Sequence, residues 1–409
     1  MPKLLYLDTA RLGQMSPGAR RASFDFSRFA SEFGCSLYLS DFLKEGFEAW
    51  PGELREQFQN LSGWQGVAAL KDRLRTLGQA RPESNCVVAA RSASLMTIAA
   101  RLMFGLCRNV LTTDLSWKPY QRILQRHWKR STGRATQMQL RQALFGRRAS
   151  AEETVDLIAR KFAQRRCDGL FLPLVDCFGV RLPIVEIVER IRSENELRFV
   201  VVDGAQAINH VPLRLNADYC DFLLAGCHKW LHSFTPMGVG FYGRARSRDY
   251  IRESIRRWER SGEITDPLMS FSGELEAARS KRFGESVAVS SMITANAAVC
   301  DAVGGPSVSN ETITHNRELI ASAATSDGRW RLLTPGKVAS DRIMMLQSRT
   351  ESRTVSSDQL RERFHSQRIA VSTYRGGRVR ISLPATPLQS EHELQLLSLI
   401  HISEPTRRH

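Results

Sequence analysis

Short apolar runs alternate with segments of helical hydrophobic spacing up to about residue 260. The apolar runs predict strands at 86–90, 110–113, 169–174, 199–203 and 238–242. Helical spacing predicts helices at 19–33, 66–77, 92–104, 120–128, 153–164 and 185–193, and a charged helix that ends near Trp258. Short apolar strands separated by helices are typical of a mainly parallel sheet covered on both faces. We therefore predict an α/β fold.

The pattern changes after residue 265. Residues 264–276 have the composition of a loop, and helices are predicted at 289–303, 312–324 and 359–365, with strands at 342–346, 369–371 and 379–383. A chain of 409 residues is also longer than one core usually supports. We predict an N-terminal arm at 1–20, a large domain at 21–265 and a smaller α+β C-terminal domain at 266–396.

The last residues are treated separately. Residues 397–407, LSLIHISEPTR, resemble the translation of a transposase-type sequencing adapter. We expect the natural chain to continue past Leu396, and we exclude residues 397–409 from fold prediction as an adapter artefact. The alternative is a genuine short C-terminal tail.

Composition favours a cytoplasmic globular protein. Hydrophobic residues make up 42% of the chain and charged residues 24%, and no apolar run approaches the roughly 18–20 residues that span a bilayer. An acid, Asp8, precedes any apolar core that a signal peptide would need. The eight cysteines are scattered without a Cys-x-x-Cys pair, which argues against a metal site or a disulfide framework.

The net charge of +16 suggests nucleic-acid binding as a hypothesis. Basic residues concentrate at 122–130, 147–148 and 252–260, but Glu253 and Glu259 interrupt the last group and no nucleic-acid-binding motif is present. We expect a solvated basic face and no nucleic-acid partner. A catalytically inactive scaffold that binds polyanions through this face is the non-enzymatic alternative.

One carboxylate and one lysine carry the candidate chemistry. Asp203 ends the apolar strand at 199–203, and Lys229 follows a second strand on the next segment of the chain. Pyridoxal 5'-phosphate needs such a pair, because a carboxylate keeps its pyridine nitrogen protonated and a lysine forms its Schiff base and moves protons. The alternative is an aspartate at a strand end and a solvated lysine on a loop.

With Gln206 and His228 added, the pattern resembles the class V aminotransferase family of fold-type I pyridoxal phosphate enzymes. That family includes cysteine desulfurases, kynureninases and isopenicillin N epimerase-like proteins. The resemblance covers nearly all of residues 4–396 and is strongest over 199–243. It implies a seven-stranded-type, mainly parallel sheet between helices, an amino acid substrate, and a homodimer in which the partner subunit completes the active site.

The resemblance also implies roles for individual residues. Lys229 would carry the Schiff base, Asp203 would pair with the pyridine nitrogen, and Gln206 would reach the phenolic oxygen of the ring. His228 is a candidate for the phosphate. The turn at 91–94 matches the phosphate-binding turn of the family, which places Ala93 and Ser94 in the cup; an ordinary serine N-cap is the alternative.

Three further positions follow from the same resemblance. Trp117 would stack on the cofactor ring, unless it is a core tryptophan. Ser286 would reach the phosphate from the partner subunit, unless it is a helix N-cap. Arg380 would bind the α-carboxylate of the substrate as a bidentate fork, and Arg375 and Arg378 could substitute for it.

The reaction itself stays open between several types. The stretch 372–377 lacks the loop cysteine of desulfurases, and Cys227 lies on the wrong segment for that role. Kynureninases usually have histidine where Gln206 stands. The pattern also departs from the family at Gly226 and Asp176, where relatives often carry serine and asparagine. We predict a class V aminotransferase that acts at the α-carbon, with a pyridoxal phosphate-dependent lyase or epimerase as the alternative.

Overall fold

The computed structural model describes residues 4–277, 287–305, 308–326, 328–349 and 355–389. Its strands are β1 (Leu5–Tyr6), β2 (Asn85–Ala89), β3 (Asn109–Thr113), β4 (Arg134–Met138), β5 (Gly169–Pro173), β6 (Phe199–Asp203), β7 (Phe222–Gly226), β8 (Gly238–Tyr242), β9 (Trp330–Leu333), β10 (Ile343–Ser348), β11 (Ile369–Ala370), β12 (Ser372–Tyr374) and β13 (Arg378–Ser382). Its α-helices are α1 (Pro17–Phe33), α2 (Leu37–Glu45), α3 (Gly52–Gln57), α4 (Gly66–Leu77), α5 (Ser92–Leu106), α6 (Lys118–Trp128), α7 (Ala151–Gln164), α8 (Ile184–Glu194), α9 (Ala245–Arg260), α10 (Pro267–Glu276), α11 (Ser290–Gly304), α12 (Asn310–Thr325) and α13 (Ser357–Ser366). None of the helices in these ranges is long and apolar enough to cross a bilayer.

A seven-stranded sheet of order β2-β8-β7-β6-β5-β3-β4 forms the centre of the molecule. Only β8 runs antiparallel to its neighbours, β2 and β7, and the remaining pairs are parallel. Every residue of β5, β6 and β7 is buried, because helices cover both faces of the sheet. The predicted α/β fold with a mainly parallel sheet is confirmed.

Two apolar cores lie on opposite faces of this sheet. One contains residues of α5, α6 and α9, and the other contains residues of α1, α4, α7, α8, α10 and α11. Because the strands between them are parallel, the carboxyl ends of β6 and β7 lie at the same edge of the sheet. Residues that follow these two strands are therefore close together.

A second, four-stranded sheet of order β12-β13-β10-β9 lies in the C-terminal part of the chain. Together with α12 and α13 it encloses a third apolar core. The N-terminal arm joins this unit, because β1 pairs in parallel with β11. The helices α10 and α11 pack instead on the large core with α4 and α1. The domain boundary near residue 265 stays a prediction.

The loop predicted at 264–276 is wrong over most of its length, because α10 occupies Pro267–Glu276. Asp266 caps this helix by accepting a 3.1 Å hydrogen bond from the Met269 N–H, and proline stands in the first turn. An aspartate followed by proline is a strong start signal for a helix, which the serine and glycine content of the segment had obscured.

Candidate active site

Asp203 lies at the carboxyl end of β6 and is 5% exposed. Its Oδ1 accepts a 2.9 Å hydrogen bond from the Ala205 N–H. Burial raises the pKa of the carboxyl to about 6, while this hydrogen bond and the charge of Lys229 act in the opposite direction. A buried carboxylate that is held this way is suited to a cationic partner.

Lys229 lies in the turn after β7, at the same edge of the sheet. Its side chain keeps some contact with solvent, but surrounding protein atoms desolvate the amine. This desolvation lowers the pKa to about 8, although the charge of Asp203 opposes the shift. The structure therefore brings the two predicted residues together as an electrostatic pair, and the amine is neutral in a substantial fraction at mildly basic pH.

The N-terminal arm fixes the position of the Lys229 turn. The Gly13 N–H donates a 2.8 Å hydrogen bond to the His228 carbonyl, and the Ser16 N–H donates to the His232 carbonyl at 2.9 Å. A Cβ added to Gly13 would lie 2.0 Å from the Lys229 carbonyl oxygen. Only glycine permits so close an approach of the two backbones at this point.

The start of α5 forms a polar cradle with the turns that follow β7 and precede β8. Ser92 opens the helix, and its hydroxyl accepts a 2.7 Å hydrogen bond from the Tyr120 hydroxyl. A Cβ on Gly238 would lie 2.6 Å from the Ser92 backbone nitrogen, and one on Gly226 would lie 2.9 Å from the His228 ring. The two glycines thus let their strands pack closely against the start of α5 and the His228 ring. The N–H groups at a helix N-terminus favour an anion.

His228 contributes an unpaired donor or acceptor to this cradle. Its Nδ1 is buried and has no hydrogen-bond partner in the part of the chain that the structure describes. Burial, and then the charge of Lys229, lower the pKa of the ring to about 4, so it is neutral at pH 7. An orphaned ring nitrogen beside a helix N-terminus fits a phosphate group. Ala93 and Ser94 lie in the first turn of the same helix, partly buried.

Gln206 is buried between the arm and the Lys229 turn. Its Nε2 donates a 2.7 Å hydrogen bond to the Ala10 carbonyl, and its Oε1 accepts one of 2.7 Å from Trp230 Nε1. One N–H of the amide is thus committed to the arm, which leaves the second N–H for other contacts. The predicted bond from Gln206 to the cofactor's phenolic oxygen stays a prediction.

Two predicted cofactor residues have less support from the geometry. Trp117 is 50% exposed at the start of α6, where its ring packs edge-on against Tyr120 at 5.0 Å. It is therefore no core tryptophan, and its stacking on the cofactor stays a prediction. Ser286 lies outside the described residues.

Arg380 lies on β13 and is 4% exposed, whereas Arg375 and Arg378 are exposed. Its Nη2 donates to Asp8 Oδ1 at 3.2 Å and to the Ser372 hydroxyl at 2.9 Å. Its Nε is buried without a partner among the described residues. Burial thus favours Arg380 over its two neighbours as the carboxylate-binding residue, and part of its fork is still free.

Sequence reasoning missed three residues of this region. Ser92 and Tyr120 form one wall of the polar cradle, and only Ser92 could have been found from the sequence, through the turn at 91–94. Arg141 pairs with the buried carboxylate of Asp176 at 3.0 Å. Neither Tyr120 nor Arg141 could be found from local spacing, because each comes from an element distant in sequence.

Solved structures with this fold cover nearly the whole chain. A NifS-like protein superimposes with a TM-score of 0.68 at 15% identity and covers 98% of this chain and 99% of its own. Ureidoglycine-glyoxylate aminotransferase of Bacillus subtilis gives 0.67 at 14% identity over 99% and 95% of the two chains. Identities this low establish the fold alone, which is that of the fold-type I pyridoxal phosphate enzymes.

The central segment allows a finer assignment. Residues 170–311, which include Asp203 and Lys229, match the family model described as aminotransferase class-V. Isopenicillin N epimerase of Amycolatopsis lactamdurans is 36% identical over 92 residues, and cysteine desulfurase of Wigglesworthia glossinidia brevipalpis is 30% identical over 91 residues. These alignments span 22% of this chain, and about a fifth of each relative, at 22% and 20%. Over this segment the chain is therefore similar to the class V aminotransferases.

Proposed function

We propose that this protein is a pyridoxal phosphate-dependent enzyme that acts at the α-carbon of an amino acid, and that its reaction is that of a class V aminotransferase. The observation that carries the proposal is the Asp203–Lys229 pair. A buried carboxylate and a lysine of lowered pKa lie at one sheet edge, beside a cradle that fits a phosphate.

Individual residues would hold the cofactor in this site. Lys229 would bind it covalently through Nζ, Asp203 would face its pyridine nitrogen, and His228 and Ser92 would contact its phosphate. When bound, the cofactor supplies an electron sink that stabilises negative charge at the α-carbon of the substrate. The carboxylate of Asp203 would strengthen that sink by keeping the pyridine nitrogen protonated.

Lys229 also provides the base. A lysine with a pKa of about 8 can accept a proton and return it near neutral pH, which an ordinary surface lysine does far less well. With a substrate bound, the ε-amine of Lys229 would remove its α-proton. Arg380 would bind the α-carboxylate and thereby orient the bond to that proton.

The hairpin between β12 and β13 argues against a desulfurase that uses a loop cysteine. Only Arg375, Gly376 and Gly377 separate the two strands, and the chain has no cysteine after Cys300. A loop of three residues cannot carry a mobile nucleophile into the site. The thiol-based reaction is therefore not proposed.

Epimerisation is the second candidate. The relatives named isopenicillin N epimerase are 36% and 38% identical to this chain over the aligned segment, which makes them the more similar of the relatives described. Epimerisation begins with the same proton removal by Lys229 but returns the proton to the opposite face. A lyase reaction, in which a β-substituent leaves, is the third reaction that this residue set permits.

We further propose a cytoplasmic homodimer. All eight cysteines are free, as expected for a reducing compartment. The resemblance to class V aminotransferases supports a dimer in which Ser286 of each subunit reaches the phosphate of its partner. Equilibrium sedimentation at micromolar concentration measures the assembly directly.

The first experiment tests whether Lys229 binds the cofactor covalently. The purified protein is loaded with pyridoxal phosphate and treated with borohydride, and the adduct is mapped by mass spectrometry. We expect the label on Lys229, and none after Lys229→Ala; Lys337→Ala, at an exposed lysine, serves as the control.

The loaded protein is then incubated with amino acids and a keto acid in D2O. Amino transfer supports the aminotransferase, deuterium at an inverted α-carbon supports the epimerase, and release of pyruvate or sulfide supports a lyase. A protein that takes up no cofactor contradicts all three reactions. Salt-sensitive binding of polyanions would then favour the scaffold alternative.

A further inference from the structure

We propose that Arg141 is a specificity-determining residue that binds a second anionic group, so that the substrate is an amino acid with an acidic side chain. This inference rests on the proposed function, because it concerns the substrate of that same site. It follows from the position of Arg141, from its free donor, and from the apolar surface between Arg141 and Arg380.

Arg141 is held in a fixed orientation by the two loops that border the site. Its Nη2 donates to Asp176 Oδ2 at 3.0 Å, and its Nε donates to the Asp114 carbonyl at 3.0 Å. Its guanidinium also lies over the Phe178 ring, 4.1 Å from the centroid. Three contacts from two loops leave the guanidinium little freedom, which is the condition for selective recognition.

Cys177 connects Arg141 to the carboxylate-binding region. Its carbonyl accepts a hydrogen bond from Arg380 Nη1 at 3.5 Å, and the positive charge of Arg141 acts on its thiol. The positive charge of Arg380 acts on Lys229, and Cys177 lies near enough to affect the pKa of the same lysine. Both arginines are therefore connected through Cys177 to the region of Lys229.

Each arginine keeps a buried donor that the protein itself does not use. Arg141 Nη1 and Arg380 Nε are both buried, and neither has a hydrogen-bond partner within the described ranges. Arg141 forms an ion pair with Asp176 at 3.0 Å, and Arg380 forms one with Asp8 at 3.2 Å. A buried N–H without an acceptor costs free energy. If each arginine served only its ion pair with an aspartate, that cost would have no purpose.

The surface between the two forks is apolar. The rings of Phe178 and Tyr374 meet edge to face at 5.2 Å, with Arg141 over the first and Arg380 6.0 Å from the centroid of the second. A short methylene chain can pack on such rings while acidic groups at its two ends reach the two arginines. This arrangement matches a dicarboxylic amino acid better than an apolar one.

The test compares ligands that differ by one charge. Cofactor-loaded protein is titrated by calorimetry with succinate, glutarate and adipate, and with the monoamide of each. We expect the diacid of fitting length to bind about tenfold or more tightly than its monoamide, the range of one hydrogen bond to a charged group. A ratio below about twofold for all three lengths overturns the inference.

Variants then locate the effect. Arg141→Lys keeps a positive charge opposite Asp176 but cannot bind two carboxylates at once. We therefore expect this variant to lose most of the preference for the diacid over its monoamide. Arg147→Met removes an exposed arginine from the same loop and should leave the ratio unchanged. A preference that survives Arg141→Lys overturns the inference.

The affinity of each variant for pyridoxal phosphate is measured separately by titration. If Arg141→Lys weakens cofactor binding and affects diacids and monoamides equally, Arg141 belongs to the cofactor site and the inference is wrong. If the wild-type protein takes up no cofactor, the proposed function fails first, at the loading step, and the inference falls with it.

Discussion

The buried ion pair between Asp8 and Arg380 offers the sharpest test of how the site is held together. Asp8 follows β1 and is 6% exposed, Arg380 lies on β13 and is 4% exposed, and the charged atoms are 3.2 Å apart. Asp8 also accepts a 2.6 Å hydrogen bond from the Ser372 hydroxyl. Asp8→Asn removes the negative charge but keeps the size and one acceptor of the side chain.

The structure allows the cost to be worked out. Two unit charges 3.2 Å apart interact by about 5 kcal/mol at an effective dielectric constant of about 20. Removing one partner of a buried pair typically costs about 3–5 kcal/mol, because the other charge stays buried. Arg380 retains the Ser372 hydroxyl and the Cys177 carbonyl as acceptors, so we expect the lower end, about 3 kcal/mol.

A matched pair on the surface serves as the control. Arg361 and Asp358 are 3.1 Å apart, with side chains 47% and 77% exposed. Because solvent screens this pair, Asp358→Asn should change the free energy of unfolding by less than about 0.5 kcal/mol. Both variants are compared with wild type by urea denaturation of the cofactor-free protein. If Asp8→Asn costs no more than Asp358→Asn, the reasoning about burial is refuted.

Three further predictions concern the lysine, its carboxylate and the arm. Folding lowers the pKa of Lys229 from 10.5 to about 8 and so disfavours its protonated form. Lys229→Met should therefore stabilise the cofactor-free protein by up to about 3 kcal/mol at pH 7 and by nothing above about pH 10.5. Urea denaturation at both pH values measures the change in the free energy of unfolding, and an equal increase at both would contradict the prediction. Asp203→Asn should still bind pyridoxal phosphate but lower kcat by about a hundredfold or more, since the pyridine nitrogen loses its counter-charge; unchanged turnover would show that Asp203 has another role. Gly13→Ala should lower the midpoint of thermal unfolding by several degrees, because the added Cβ would lie 2.0 Å from the Lys229 carbonyl oxygen. Gly52→Ala is the control, since an added Cβ there would have no atom within 4 Å and should not lower the midpoint. Equal shifts for the two variants would contradict the close approach of the arm.

The sequence predicted the central strands well because their signal is local. The strands Phe199–Asp203 and Gly238–Tyr242 have the predicted bounds, since each is a short apolar run buried on both faces. The strand β4 was missed because it is polar and lies at the edge of the sheet, where only part of its surface is buried. Burial on both faces is thus what makes a strand visible in a sequence.

The sequence could name candidate site residues but not the residues that they contact. Arg380 was predicted as the carboxylate-binding residue, yet its ion pair with Asp8 joins positions 372 apart in the chain. Gln206 was predicted to face the cofactor, yet its amide also ties the arm to Trp230. Such contacts depend on how the arm and the C-terminal sheet pack, and no local pattern records that.

Gly226 stands where relatives often carry serine, and the packing around it shows what takes the place of that side chain. A serine there would place its Cβ 2.9 Å from the His228 ring and 3.8 Å from the Ser92 hydroxyl. The ring therefore occupies the room that a side chain at 226 would need, and its unpaired Nδ1 lies beside the start of α5. The hydroxyl of Ser92, fixed by Tyr120, stands at the same cradle. The absence of a hydroxyl at position 226 and the position of the His228 ring are thus one structural feature. Position 226 judged by itself would suggest fewer polar groups for the proposed phosphate site than the assembled residues offer.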